Sequence, residues 1–288
     1  MDTATANRAV LITGCSSGIG HATARLLAAR GYRVIAGARR ADDVARLAAE
    51  GLNAIQLDLD DSDGIARAAE RALEIGDGRL YGLFNNAGFG QPGAVEDLRR
   101  DVLRRQFETN VFGTLELTNL LLPSMRRHRA GRIIQNSSLL GLVSLPYRGA
   151  YNASKYALEG LYDTLRLELA GSGVHAVLIE PGPIESRFRA NALAAYRNNI
   201  DVDRSVHRDR YLANEARLKK PGHAAPFTLP AMAVAEKVLR ILECRNPRPR
   251  YYVTMPTYFL GALKRVLSSR ALDRVLARIS RGEQKAGV

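Results

Sequence analysis

Thr13-Gly14-Cys15-Ser16-Ser17-Gly18-Ile19-Gly20 is where the architecture first declares itself. An apolar, β-branched run at 8–13 (RAVLIT) precedes it, and Ala- and Leu-rich sequence of helical spacing follows. A strand that turns on glycine directly into a helix reads as the start of a βαβ unit. Gly14 permits the tight turn, Gly18 lets backbone approach a pyrophosphate, and Gly20 lets helix and strand pack closely. Ser16, Ser17 and Ile19 then fall at the helix N-terminus, whose N–H groups and dipole favour phosphate. The bland alternative is an ordinary strand–helix turn.

Outward from that loop, apolar runs recur at 33–38, 53–59, 80–85, 132–136 and 174–180. Between them lie helical stretches, with Leu26, Leu27 and Arg30, then Val44, Leu47 and Ala48, then Ile65, Ala69 and Leu73. Strands apolar on both faces, separated by amphipathic helices, predict a buried, mostly parallel sheet of seven strands. The expected fold class is α/β: a doubly wound, three-layer Rossmann fold, with a helical lid and a basic amphipathic tail. We expect one domain over 1–288: a core at 8–182, a substrate lid at 183–229, a last helix and strand at 230–255, and the tail at 256–288. Pro230 should start that last helix.

Composition narrows the classes further. Of 288 residues, 46% are hydrophobic and 25% charged, which fits a globular chain and excludes a disordered or fibrous one. Only two cysteines occur, Cys15 and Cys244, which excludes a disulfide framework and a Cys-based zinc site. No run of ~18 apolar residues is present and the polar N-terminus offers no signal peptide, so the expected location is cytoplasmic. His21, His128, His175, His207 and His223 are scattered, so no metal site is expected. Lys+Arg exceed Asp+Glu by 42 − 29 = 13. Residues 1–186 hold 21 basic and 21 acidic residues, and 187–288 hold 21 and 8, so the whole excess sits in the C-terminal third. Nucleic acid is excluded as a partner by the absence of zinc-finger spacing, RNP-like runs and Trp.

The second strand run ends Ala38-Arg39-Arg40. An NAD site usually carries an acid there, for the ribose 2′-hydroxyl. A guanidinium instead suits a 2′-phosphate, so Arg39, helped by Arg40, points to NADP; the alternative is a solvated pair capping the next helix. Asp58, at the end of the third run, is either an adenine contact or a loop cap. Tyr151-Asn152-Ala153-Ser154-Lys155 puts Tyr151 and Lys155 on one helix face. A nearby ammonium, together with the positive nicotinamide ring, favours a phenolate, so the two should lower the Tyr151 pKa. Ser138 ends the strand before, where strand ends converge on the ligand crevice.

Together TGCSSGIG, Asn85-Asn86-Ala87-Gly88, Asn110, Ser138, YNASK and Pro181-Gly182-Pro183-Ile184 resemble the short-chain dehydrogenase/reductase family, over roughly residues 8–255. The pattern is closest to bacterial NADP-dependent aldehyde reductases and to the retinol and 17β-hydroxysteroid dehydrogenases. The resemblance implies Tyr151 as acid/base, Lys155 on the nicotinamide ribose, Ser138 on the substrate oxygen, and Asn110 seating a relay water. It implies cofactor contacts from Asp58, Leu59, Asn86, Ala87 and Gly88, and nicotinamide contacts from Pro181, Gly182, Ile184 and Ser186. Ser186 stands where the family often has Thr, and Ser137 beside Ser138 leaves a choice of register, which the spacing to Tyr151 resolves toward Ser138.

These residues imply reversible reduction of a carbonyl by NADPH. Leu139, Leu140, Leu142, Val143, Tyr147, Phe188, Phe227 and Leu229 suggest an apolar pocket for lipophilic aldehydes, with steroid- or retinoid-like ketones and alcohols behind them. In the tail, Phe259, Leu263, Val266 and Leu267 are expected on one side, followed by Leu272, Val275, Leu276 and Ile279. That tail would dock on the core or a second subunit, lie on an anionic membrane surface, or fray. A homodimer or homotetramer through helices near 100–125 and 151–170 is the family's habit. The competing functions are a non-catalytic NADP-binding regulator and a nucleotide-dependent epimerase or dehydratase.

Overall fold

Among the described residues the apolar runs become seven strands of one sheet: β1 (Ala9–Ile12), β2 (Arg33–Ala38), β3 (Asn53–Gln56), β4 (Gly82–Asn85), β5 (Gly131–Asn136), β6 (Val174–Glu180) and β7 (Arg250–Tyr252). This is a computed structural model, and it describes residues 8–220, 222 and 225–285. The readings of residues 1–7 and of His223 lie outside the described residues. Every strand pair is parallel, in the order β3-β2-β1-β4-β5-β6-β7. The order reverses between β1 and β4, and such a switch point opens the ligand crevice at the carboxyl ends of the strands.

The continuous apolar runs are explained by burial on both faces. Leu11 of β1 belongs to one core cluster, and its neighbours Val10 and Ile12 belong to the other. The Leu11 side is covered by α3 (Ser62–Ile75), α5 (Gly113–Arg127) and α6 (Gly149–Glu168), through Ile65, Leu117 and Tyr162. The opposite side is covered by α1 (Gly18–Ala29), α2 (Ala41–Ala49) and α9 (Met232–Glu243), through Leu27, Leu47 and Val238. Three layers result, as expected from the alternating pattern.

Several boundaries differ from the sequence reading. β3 ends at Gln56 rather than 59: the Leu57 amide still bonds the Ala38 carbonyl at 2.9 Å, and then the chain leaves the sheet while Leu57 and Leu59 stay in the core. The helix expected from Pro230 begins at Met232. Between α4 (Arg100–Phe107) and α5 a π-helical turn, Glu108–Phe112, interrupts what the sequence offers as continuous helix.

The lid comprises α7 (Phe188–Asn199) and α8 (Arg208–Lys219). The tail comprises α10 (Met255–Val266) and α11 (Ser269–Lys285), with Pro256 in the first turn of α10. Leu272, Val275, Leu276 and Ile279 of α11 pack on Leu139, Leu140, Val143 and Leu145, as expected of a docking helix. The α10 face is corrected. Leu260 and Leu263 turn inward, whereas Phe259 is 54% exposed and Val266 77% exposed. Thr257 and Gly261 let the inner face approach closely: a side chain at Gly261 would stand 3.1 Å from the Tyr252 ring.

Candidate active site

The glycine loop turns as its residues require. Gly14 has φ +71°, which glycine adopts freely. A Cβ at Gly20 would lie 2.3 Å from the Gly14 carbonyl oxygen, so only glycine lets α1 start there. Ser17 caps α1 by position without a side-chain hydrogen bond, which leaves the first-turn N–H groups for another acceptor. Thr13 Oγ1 accepts from the Asn86 and Ala87 amides at 2.9 and 2.8 Å, tying the end of β4 to the loop. Asn86 Nδ2 donates to the Thr13 carbonyl at 2.9 Å.

From this corner a cavity of about 620 Å³ runs beneath the lid. Ile19, Asn86, Gly88, Ser138, Leu140, Tyr147, Tyr151, Lys155, Pro181, Gly182, Ile184, Ser186 and Phe188 all line it, so the structure gathers most of the residues singled out in the sequence. Leu139 lines it too, but Leu142, Val143, Phe227 and Leu229 do not. Val143 is turned under the tail, Leu229 is bridged to Ile184, and Phe227 has φ +58° and is 56% exposed. Leu145, Ala192 and Leu218 take their place as apolar lining, and Gly90 sits against the Phe188 ring. Leu145, Ala192 and Leu218 fall in the stretches 140–147 and 183–230 that the sequence offers for the pocket, whereas nothing local marks Gly90.

Gly14, Ser16, Ser17, Gly18 and Gly20 border this corner without lining the cavity; the Ser16 carbonyl accepts from Arg46 at 2.7 Å. Arg39 is exposed at the end of β2, and Arg40 is the N-cap of α2 and pairs with Asp42 at 3.4 Å. Asp58 accepts from the Asp60 amide at 3.2 Å, which is the loop-cap geometry. The Leu59 side chain is in the core, so only its backbone reaches the strand edge. Ala87 packs beneath Gly14.

The end of β5 meets α6 residue by residue. Ser138 hydrogen-bonds Tyr151, and its Oγ accepts from the Leu140 amide at 3.0 Å. Asn136 offers its carbonyl to Lys155 Nζ at 2.7 Å. Ser137 turns the other way and donates to Glu159, which resolves the register of the serine pair in favour of Ser138. Lys155 Nζ stands 5.6 Å from the centre of the Tyr151 ring, and Phe188 meets that ring edge-on at 5.2 Å. Asn110, on the π turn, ties loop 86–89 to α6: Nδ2 donates to the Phe89 carbonyl at 3.0 Å and to Ser154 Oγ at 3.1 Å, and Oδ1 accepts the Phe89 amide at 3.1 Å.

The electrostatics of the protein alone are set mainly by burial. Burial pushes the Tyr151 phenol up to about 12, with only the Ser138 hydrogen bond opposing it. Burial likewise pulls the Lys155 ammonium down to about 8, with the Glu159 charge opposing. At neutral pH the pair is therefore a protonated phenol beside an ammonium. A buried proton donor and a hydroxyl aimed at the same point suit a substrate oxygen that gains negative charge. The glycine cradle, the uncapped α1 N-terminus and the cation at Lys155 fit a pyridine dinucleotide.

Residues 8–197 match the family model described as short chain dehydrogenase. The chain belongs to the short-chain dehydrogenase/reductase family and is an oxidoreductase of that family. It is 44% identical to YbbO, an uncharacterised oxidoreductase of Escherichia coli K12, over 93% of this chain and 94% of that protein. It is 36% identical to human 17-beta-hydroxysteroid dehydrogenase type 1, over 86% and 78% respectively. Against the NADPH-dependent 3-dehydrocapnine reductase of Ornithobacterium rhinotracheale it is 32% identical, over 93% and 95%. Among solved structures, a family member from Burkholderia phymatum in complex with NAD superposes with a TM-score of 0.75 at 25% identity, covering 95% of this chain and 96% of that one.

Proposed function

We propose that this chain is an NADPH-dependent carbonyl reductase, reversible as an alcohol dehydrogenase, acting on lipophilic aldehydes or ketones. The carrying observation is the half-buried Tyr151 set between buried Ser138 and Lys155 at the head of a mostly apolar cavity. The overall change is carbonyl + NADPH + H⁺ to alcohol + NADP⁺. A nicotinamide held by these residues would supply the hydride. Ser138 donates a hydrogen bond to the carbonyl oxygen while its own oxygen stays committed to the Leu140 amide. Tyr151 gives its phenolic proton to that oxygen, a contribution of roughly 10²–10⁴-fold. Lys155 holds the nicotinamide ribose and is fixed by the Asn136 carbonyl. Asn110 holds loop 86–89 through its side chain, so a relay water would be seated by the main chain of its π turn. Pro181, Gly182, Ile184 and Ser186 bound the nicotinamide end, Gly14 to Gly20 take the pyrophosphate, and Asp58 and Leu59 the adenine side.

Arg39 supports NADP over NAD, because no acid stands at the end of β2 and the side chain is exposed where a 2′-phosphate would come. The NADPH dependence of the 3-dehydrocapnine reductase relative agrees. The apolar lining from Leu139, Leu140, Leu145, Phe188 and Leu218 supports lipophilic substrates, with the steroid-like option kept by the 17-beta-hydroxysteroid relative. We read the whole chain as one Rossmann-type unit, working in the cytoplasm as a dimer or tetramer. Exposed Phe112, Leu120 and Leu161 support pairing through α5 and α6. The outward α10 stripe of Met255, Phe259 and Val266, beside Lys264 and Arg265, supports a peripheral hold on anionic lipid, checked by sedimentation with anionic and neutral vesicles.

The test of the activity is a panel of aldehydes and ketones with NADPH and with NADH, read by nicotinamide absorbance. Wild-type protein should turn over lipophilic members with NADPH. Tyr151→Phe should bind NADPH and lose nearly all turnover; wild-type rates in that variant would remove Tyr151 from the mechanism.

A further inference from the structure

Tyr151 and Lys155 are the first half of a longer stripe. Positions 151, 155, 159 and 163 recur every four residues along α6 and carry Tyr, Lys, Glu and Asp. Three consecutive residues at the end of β5 answer three of them: Ser138 meets Tyr151, Asn136 meets Lys155, and Ser137 meets Glu159. Arg250, the first residue of β7, closes the far end. Its Nη1 donates to Glu159 and, at 2.8 Å, to Glu180 at the end of β6; its Nη2 donates to Asp163 at 2.5 Å. Glu159 is 7% exposed and Glu180 is fully buried, while Arg250 and Asp163 are half-buried, so the polar cluster runs from the interior toward the surface. The reaction as derived uses none of these four residues.

Buried ion clusters are poor stabilisers compared with apolar packing of the same volume. Their presence one helical turn beyond the reacting pair therefore calls for a role that packing would not fill. We propose that Glu159, clamped by Ser137 and Arg250, is a positioning residue for Lys155, fixing the register of α6 against β5 and supplying the carboxylate that balances the buried ammonium. The inference deepens the proposed function, since it concerns the same Tyr151–Lys155 site, but it can be tested without turnover.

The charges facing Lys155 define what Glu159 does. Tyr151 is neutral, Asn136 offers only a carbonyl dipole, and Ser137 and Ser138 are hydroxyls. From β6, Glu180 is pushed up to about 8 by burial and by the Glu159 charge, with Arg250 opposing, so it holds its proton near neutral pH. Arg250 on β7 is a second cation, and Asp163 lies beyond it. Glu159 is thus the carboxylate that keeps Lys155 from falling below its value of about 8. Arg250 keeps Glu159 in place while Ser137 orients the same carboxylate from the strand that carries Ser138. A change at Glu159 is transmitted to both members of the reacting pair through one helix face and one strand end.

The test is lysine-selective ¹³C labelling of full-length protein, following the Cε signals against pH by NMR. The chain has six lysines, and Lys155→Arg assigns the signal that matters. Glu159→Gln keeps an acceptor for Ser137 and removes the charge, so the Lys155 midpoint should fall by roughly one unit. Glu159→Asp, which keeps the charge, should restore most of that shift. NADPH affinity, read by fluorescence, should fall in Glu159→Gln above pH 7 and be unchanged at pH 6, where Lys155 is charged in either protein. An unmoved Lys155 midpoint in folded Glu159→Gln would overturn the proposal. If Glu159→Gln does not fold, Ser137→Ala serves: it frees one carboxylate oxygen without altering charge. It should broaden or move the Lys155 signal, and an identical titration would overturn the positioning role. Absence of carbonyl turnover in wild-type protein would defeat the functional reading and leave this titration interpretable.

Discussion

Leu276→Ala in the tail tests whether α11 belongs to the folded core or merely accompanies it. Leu276 is 6% exposed and sits among Leu139, Leu140, Val143 and Leu145. Burying a leucine side chain is worth roughly 1.5–3 kcal/mol, and truncation to alanine adds a cavity term, giving about 2–5 kcal/mol in well-packed cores. This cluster is small, and a terminal helix can settle into part of the void, which puts the expected loss near 2–3 kcal/mol. For a chain of this size that corresponds to a Tm lower by about 4–6 °C. Val266→Ala is the matched control. The side chain is 77% exposed, so its effect should stay within about 0.5 kcal/mol. The assay is thermal unfolding of both variants beside wild type, with hydrogen exchange on α11 and on 139–141. Leu139 and Leu140 also line the cavity, so Leu276→Ala should raise KM for long substrates more than it lowers kcat. Equal Tm shifts in the two variants would refute the packing argument, because nothing else in the structure separates the two positions so sharply.

Arg39→Asp exchanges a 2′-phosphate donor for a 2′-hydroxyl acceptor. Losing a charge-assisted contact worth about 1.5–3 kcal/mol should weaken NADPH binding roughly tenfold to a hundredfold and favour NADH. Fluorescence-derived Kd values for both cofactors check this, and an unchanged ratio would exclude Arg39 as the determinant. Glu180 supplies a pH test. Its folded pKa of about 8 stands above the ordinary 4.5, so the folded protein holds more protons between those values and loses this stabilisation as pH rises through the window. Glu180→Gln carries no such proton, so its Tm relative to wild type should be higher at pH 8.5 than at pH 5. A difference independent of pH would contradict the assignment.

How much of this was legible depended on whether the signal was local. The glycine loop, the four-residue spacing of Tyr151 and Lys155, and the twofold-buried strands are local patterns, and each is found where the sequence put it. The Arg250 cluster is not local: Arg250 lies 91 residues from Glu159 and 70 from Glu180, so only the recurrence of 151, 155, 159 and 163 could have hinted at it. The α10 face was misread for a different reason. Apolar residues occur on more than one side of that helix, and periodicity alone does not say which side meets the core. The small residues Thr257 and Gly261 decide it by allowing close approach to Tyr252. The burial around Tyr151 was not legible, because a spacing argument sees the neighbouring ammonium and not the desolvation, which in the protein alone is the larger effect.

That larger effect has a consequence for direction. The protein by itself holds Tyr151 protonated and Lys155 charged at neutral pH, which is the charge state that can deliver a proton to a carbonyl oxygen. Oxidation of an alcohol needs the opposite, a phenol willing to surrender its proton before the substrate arrives. The Ser138 hydrogen bond helps it do so, and in the protein alone burial outweighs that help. In the protein alone the pair therefore suits the proposed reduction, a bound nicotinamide cation would draw the phenol toward its ionised form, and the β5–α6 contacts keep the geometry of both. Substrate preference can then change through Phe188, Ala192 or Leu218 without disturbing the strand end that positions the reacting pair.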